Sequence, residues 1–147
     1  MQAIFVLFAV AAGVFSALQS GSNNVLQKGL AAPWWTILIV SATTAAVSLV
    51  AALASGERLP SDGAVASVPW YGWIGGVFGL AFVLGTVFAS PKLGAGVFVA
   101  LVVTASTVAS LALDHFGLMG FDVHRVGWGR LAGALLMAVG VSLIARF

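Results

Sequence analysis

Apolar residues run almost unbroken from Ala3 to Ala17, and the polar residues that follow keep a helical spacing. No proline interrupts Ala3 to Leu30, so the pattern predicts one helix over that length, stopped by Ala31-Ala32-Pro33. A second apolar run, Trp34 to Ala54, opens on two tryptophans suited to a membrane interface. Ser55 to Gly63 is polar and reads as a loop, followed by small residues up to Pro69. A third run begins at Trp70-Tyr71-Gly72-Trp73 and reaches Ser90, where Pro91-Lys92-Leu93-Gly94 predicts a turn. The fourth run, Leu93 to Leu113, ends at Asp114-His115-Phe116-Gly117. A connector from Leu118 to Gly127 leads to the fifth, Trp128 to Arg146. The predicted fold is all-α: a polytopic membrane protein with five transmembrane helices (3–30, 34–54, 70–90, 93–113, 128–146) in one membrane domain, 1–147.

The first helix is the unusual one. Gln19, Asn23 and Gln27 are each four residues apart and share a stripe, with Ser16 and Ser20 beside it. A helix of this length runs roughly 40 Å, more than the ~30 Å hydrocarbon layer. Amides facing lipid are costly, so the stripe is expected to face protein or a wet cavity.

Composition strengthens the membrane reading. Of 147 residues, 61% are hydrophobic and 7% are charged, and mean hydropathy is +1.13. Too little polar surface exists to cover a soluble fold. The net charge of +2 makes no case for nucleic acid. The absence of cysteine excludes disulfides, thiolate metal sites and cysteine nucleophiles. The N-terminus lacks the basic residues of a secretory signal, so the first helix is expected to be retained. Positive charge is balanced across five spans: Arg58, Arg125 and Arg130 on one side, Lys28, Lys92 and Arg146 on the other. That balance fits either a weak orientation signal or dual topology, in which one chain inserts both ways.

Candidate chemistry is sparse. No HExxH, CxxC, GxSxG or phosphate-binding loop occurs, so no enzyme, metal or cofactor is expected. Asp114 sits at a helix C-terminus, where the dipole disfavours an anion. It calls for a partner among His115, His124, Arg125 and Arg130, either as an ion pair tying helix to connector or as a proton-coupling group. Gly129, Gly133 and Gly140 lie along one side of the last helix, where small residues allow close packing within the chain or across a dimer. Thr86, Thr104, Ser106, Thr107 and Ser110 are each ordinary in an apolar helix. Together with the amide stripe they are candidates to line one uncharged cavity, with Trp73 and Phe82 as walls.

The order of these features resembles the small bacterial members of the drug/metabolite transporter superfamily, in particular the YdcZ-like group of short inner-membrane proteins. The likeness is carried by Gln19, Gly21 and Asn23; Pro33; Pro69-Trp70, Trp73 and Gly75-Gly76; and Pro91-Lys92-Leu93-Gly94. It continues through Asp114-His115-Phe116-Gly117 and Gly120, then Arg130-Leu131-Ala132-Gly133 and Gly140, and so covers essentially the whole chain. The resemblance implies a bacterial inner-membrane location. It also implies a five-helix half of a ten-helix inverted-repeat transporter, completed by a second copy or a paralogue. Where the group often has Gly-Gln in the fourth span, this chain has Ala105-Ser106, which bears on substrate contact.

The expected function is therefore a small transporter or exporter of a neutral, zwitterionic or amphipathic molecule, embedded in lipid and acting as a dimer by alternating access. Its substrate site is expected to comprise Gln19, Asn23 and Gln27 with Trp73 and Ser106. The alternative is a scaffold or accessory subunit of a larger membrane complex, in which the stripe is a helix–helix seam.

Overall fold

A computed structural model describes residues 2–147. The polar residues after Ala17 do not end the first helix: α1 is continuous over Gln2–Leu30. It stops where Ala31 turns to a positive φ of 49°, and Pro33 opens α2, Pro33–Ala54. Proline suits a first helical position, where its missing N–H costs nothing. After α2 a short helix, α3 (Asp62–Ser67), occupies part of the stretch expected as irregular, and the Ser61 hydroxyl caps it by accepting from the Ala64 N–H at 3.3 Å.

The third span departs from the continuous helix expected over 70–90. It is a 3₁₀ turn at Trp70–Gly72, then α4 at Gly75–Phe88 and a single further turn, α5, at Ser90–Leu93. Gly72, Gly75, Gly76 and Gly79 weaken the helix start. Pro91, with no N–H to donate, is tolerated in the first turn of α5 but not in an uninterrupted helix. Gly94, at φ 84°, ends α5 and delays the fourth span, so α6 is Ala95–Phe116 rather than 93–113. A 3₁₀ turn at Leu118–Gly120 follows, and α7 is Trp128–Arg146. Five segments are long and apolar enough to cross a membrane: Gln2–Leu30, Pro33–Ala54, Trp70–Leu93, Ala95–Phe116 and Trp128–Arg146.

The chain divides into two compact units, Leu18–Pro91 and Met1–Ala17 with Lys92–Phe147. In the first, Ile37 of α2 packs on Val83 and Val87 of α4, flanked by Val40 and Leu84. The Trp34 and Phe88 rings meet edge-on at 6.1 Å. In the second, α6 and α7 pack side by side. The connector folds back over the C-terminus of α6, where the His124 N–H donates to the Asp114 carbonyl at 2.8 Å. Gly117 makes that return with φ 61°. A Cβ there would lie 2.7 Å from Val123 Cγ2. We expect Gly117→Ala to lower stability by about 1–2 kcal/mol from the left-handed backbone alone. Gly13→Ala, in the middle of α1 where a Cβ meets nothing, is the control and should not lower stability, since alanine is the better helix former. Thermal unfolding in detergent measures both.

Candidate functional site: a polar seam and cavity beside the first helix

Within the unit Leu18–Pro91, the α1 side chains of Ser20 and Asn23 are buried, as are Thr86 of α4 and Ser90 of α5. They form a seam. The hydroxyls of Ser20 and Ser90 hydrogen-bond at 2.8 Å, and Asn23 Nδ2 donates to Thr86 Oγ1 at 2.9 Å. The Thr86 hydroxyl in turn donates to the Val83 carbonyl at 2.7 Å. Each buried polar group in this seam therefore has a partner, as burial away from water requires. The next residue of α1 differs: Asn24 Oδ1 is enclosed and has no partner among the described residues.

Next to the seam, α1 and α2 border a half-open cavity of about 260 Å³, with Thr43 and Thr44 on its exposed side. Gln19, Ser22, Asn23 and Leu26 line it from α1, and Ile39, Val40, Thr43 and Thr44 from α2. Thr43 and Thr44 each stand ten residues from an end of α2 (33 to 43, and 44 to 54). They are thus near the middle of a helix that crosses the hydrocarbon layer. The lining carries no ionisable side chain.

The structure brings Gln19 and Asn23 of the expected site together and leaves three others outside this lining. Gln27 is half-buried farther along α1. Trp73 follows the 3₁₀ turn and is 60% exposed. Ser106 belongs to α6, in the other unit, and its exposed hydroxyl donates to the Val103 carbonyl at 3.0 Å. Thr43 and Thr44 escaped sequence reasoning. Threonine inside an apolar helix looks self-satisfied, and only the α1 polar stripe opposite gives the pair meaning. Thr86 was visible in the sequence as a polar residue, but its pairing with Asn23 was not.

The unit containing α6 and α7 holds the charged groups singled out in the sequence. Asp114 Oδ2 lies 3.6 Å from Arg130 Nη1, both partly exposed. The Val126 N–H donates to His115 Nδ1 at 3.1 Å, and the His115 and Phe116 rings meet edge-on at 4.8 Å. Gly133 lies with Asp114 and Arg130 along a groove between α6 and α7. A second groove, about 510 Å³, is lined mainly by Leu, Val and Ala and offers little to a polar solute.

Residues 4–143 match the family described as "Putative inner membrane exporter, YdcZ". The chain belongs to the YdcZ family of the drug/metabolite transporter superfamily. It is 30% identical over 149 residues to "Inner membrane protein YdcZ" of Escherichia coli (strain K12), across 99% of this chain and 97% of that protein. No solved structure gives a significant match. As a YdcZ-family chain with five crossing segments, this is a multi-pass membrane protein of a bacterial inner-membrane family. Two of the features that suggested the resemblance now have physical roles. Asn23 anchors the seam, and Asp114-His115-Phe116-Gly117 fastens the connector to the end of α6.

Asn23→Ala and Thr86→Val each remove one side of a buried membrane hydrogen bond. We expect a coupling of about 0.6 kcal/mol, at most ~1.7, between them. A double-mutant cycle of unfolding in mixed detergent micelles measures it, and no coupling would mean the pair does not hold α1 to α4.

Proposed function

We propose that this chain moves a small molecule across the inner membrane, with the cavity between α1 and α2 as the solute site. The observation that carries the reading is an uncharged polar lining at the middle of a membrane-crossing helix. Transport sites near the midplane, at the interface of repeat-related halves, are the general logic of secondary carriers. Gln19 and Ser22 have polar atoms not taken by the seam, and Leu26, Ile39 and Val40 supply an apolar wall. The exporter description of the YdcZ family supports the same reading.

The working unit in this proposal is a pair of chains that together make ten helices, each chain serving as one half of an inverted repeat. Balanced positive charge supports an antiparallel homodimer, since neither orientation is favoured. The last helix supports a partner contact there. A Cβ added at Gly129, Gly133 or Gly140 meets no atom within 4 Å, so packing inside the chain does not call for glycine at these positions. Close approach of another helix would. Alternating access then follows from rocking of one half against the other. The solute binds, moves and leaves without a chemical step.

The seam favours one rival, a non-transporting accessory subunit, because two α1 polar side chains, Ser20 and Asn23, are spent on helix–helix bonds. Flux separates the two. Purified chain in liposomes loaded with a defined mixture of small metabolites is expected to release a subset faster than protein-free vesicles, read by mass spectrometry. Gln19→Ala and Thr43→Val should slow that release by about tenfold, the worth of one lost hydrogen bond in the solute complex. Unchanged release in both variants would remove the cavity from the transport path. Orientation is tested by a C-terminal reporter that distinguishes the two sides of the membrane. Signal from both sides is expected, and signal from one side alone overturns dual topology.

A further inference from the structure

The hydrogen bonds around the cavity between α1 and α2 restrict what it can recognise. Thr43 donates its hydroxyl proton to the Ile39 carbonyl at 2.9 Å, and Thr44 donates to the Val40 carbonyl at 3.0 Å. Both hydroxyls have therefore spent their one proton on their own helix. Each oxygen keeps acceptor capacity.

Asn23 is fixed by a longer chain of reasoning. The Thr86 proton goes to the Val83 carbonyl at 2.7 Å. Thr86 Oγ1 is left as an acceptor, so the side of the Asn23 amide that faces it must be the donor, Nδ2. Oδ1 is thereby turned away from the seam. It is not among the enclosed, unpartnered atoms of the chain, and Asn23 is part of the cavity wall. Three residues that line the cavity thus carry an oxygen left with acceptor capacity: Asn23 Oδ1, Thr43 Oγ1 and Thr44 Oγ1. Gln19 and Ser22 can present either a donor or an acceptor. No Lys, Arg or His lines the cavity.

We propose that the solute is a small uncharged molecule that presents several N–H or O–H donors along one edge and an apolar side to Leu26, Ile39 and Val40. This narrows the transport reading given above and rests on it. A polyol can meet all three acceptors, and a primary amide, with two N–H donors, can meet two of them. A carboxylate or phosphate meets lone pairs in a low-dielectric site with no cation, and its desolvation is uncompensated. The volume of about 260 Å³ lies just below the ~300 Å³ lower end for drug-sized ligands, which suits a small solute.

The test uses four probes: nicotinamide, its N,N-dimethyl derivative, nicotinate, and erythritol. Binding is read as the shift in thermal midpoint of the solubilised full chain, and transport as release of the same probes from liposomes. We expect nicotinamide or erythritol to stabilise the chain. We expect dimethylnicotinamide and nicotinate to bind roughly tenfold more weakly than nicotinamide, or worse, for want of one or more hydrogen bonds. Thr43→Val should weaken nicotinamide while leaving the unliganded midpoint unchanged, because Thr43 is exposed and its bond is to its own helix. Release and binding that make no distinction among nicotinamide, its dimethyl derivative and nicotinate overturn the solute class and leave transport standing. Donor-selective binding without release keeps the solute class and overturns transport. Neither binding nor release of any probe overturns both.

Discussion

A polar side chain inside a membrane helix must find a partner in protein, because hydrocarbon supplies none. That constraint organises α1. Ser20 and Asn23 satisfy it through Ser90 and Thr86, and in doing so they set how α1 is rotated about its own axis. Gln19 and Ser22 each precede a seam residue by one position, which turns them about 100° around the helix. The seam toward α4 and α5 therefore aims the neighbouring face of α1 at α2, where Thr43 and Thr44 wait. Asn23 belongs to both faces: its nitrogen holds the seam and its residue walls the cavity. A single set of helix–helix bonds thus fixes the helix and orients the site.

The same constraint explains why so little apolar surface is buried. Among the described residues the buried hydrophobic ones are Ile37, Val83, Val87, Phe98 and Val141, and the buried polar ones match them in number. In water this would be an unstable core. In lipid, apolar surface gains little by leaving the bilayer, and association rests on close contact and polar bonds. Most of the hydroxyls outside the seam answer the constraint locally. Thr107 and Ser142 donate to carbonyls four residues back. A locally satisfied hydroxyl takes meaning only from what lies beside it: Thr43 and Thr44 line the cavity with α1, whereas Ser106 belongs to the other unit.

The five spans were legible because hydropathy and length alone define them. The interruptions inside them were less so. Pro91 and the glycines at 72, 75, 76 and 79 were each visible, but whether they bend or break a span depends on neighbours. Here they leave α4 with 14 residues between a 3₁₀ turn and a separate final turn. Two of the five polar residues lining the candidate site were legible too, through the spacing of Gln19 and Asn23. The rest was not, because hydrogen-bond partners lie far apart in the chain: Asn23 and Thr86 are separated by 63 positions. Periodicity shows which residues share a face. It does not show what that face meets.

The charged residues answer a different problem, and they do so in the other unit. Asp114 ends α6, where the helix dipole disfavours it. Arg130, in the first turn of α7, lies 3.6 Å away. Both are partly exposed, so their attraction is screened and modest. The main anchor of the connector is instead its backbone: the His124 N–H on the Asp114 carbonyl, and the Val126 N–H on His115 Nδ1. Gly117 is what lets the chain turn back far enough to make them. Charge is thus kept to helix ends, where water can reach it. A Lys, Arg or Asp at a helix centre costs about 2.5–3.5 kcal/mol on insertion. A site assembled from amides and hydroxyls avoids that cost, but it gives up the ability to hold an ion by charge. In the proposed reading, recognition then rests on the direction of hydrogen bonds, and direction at this cavity follows from which protons the helices have already taken.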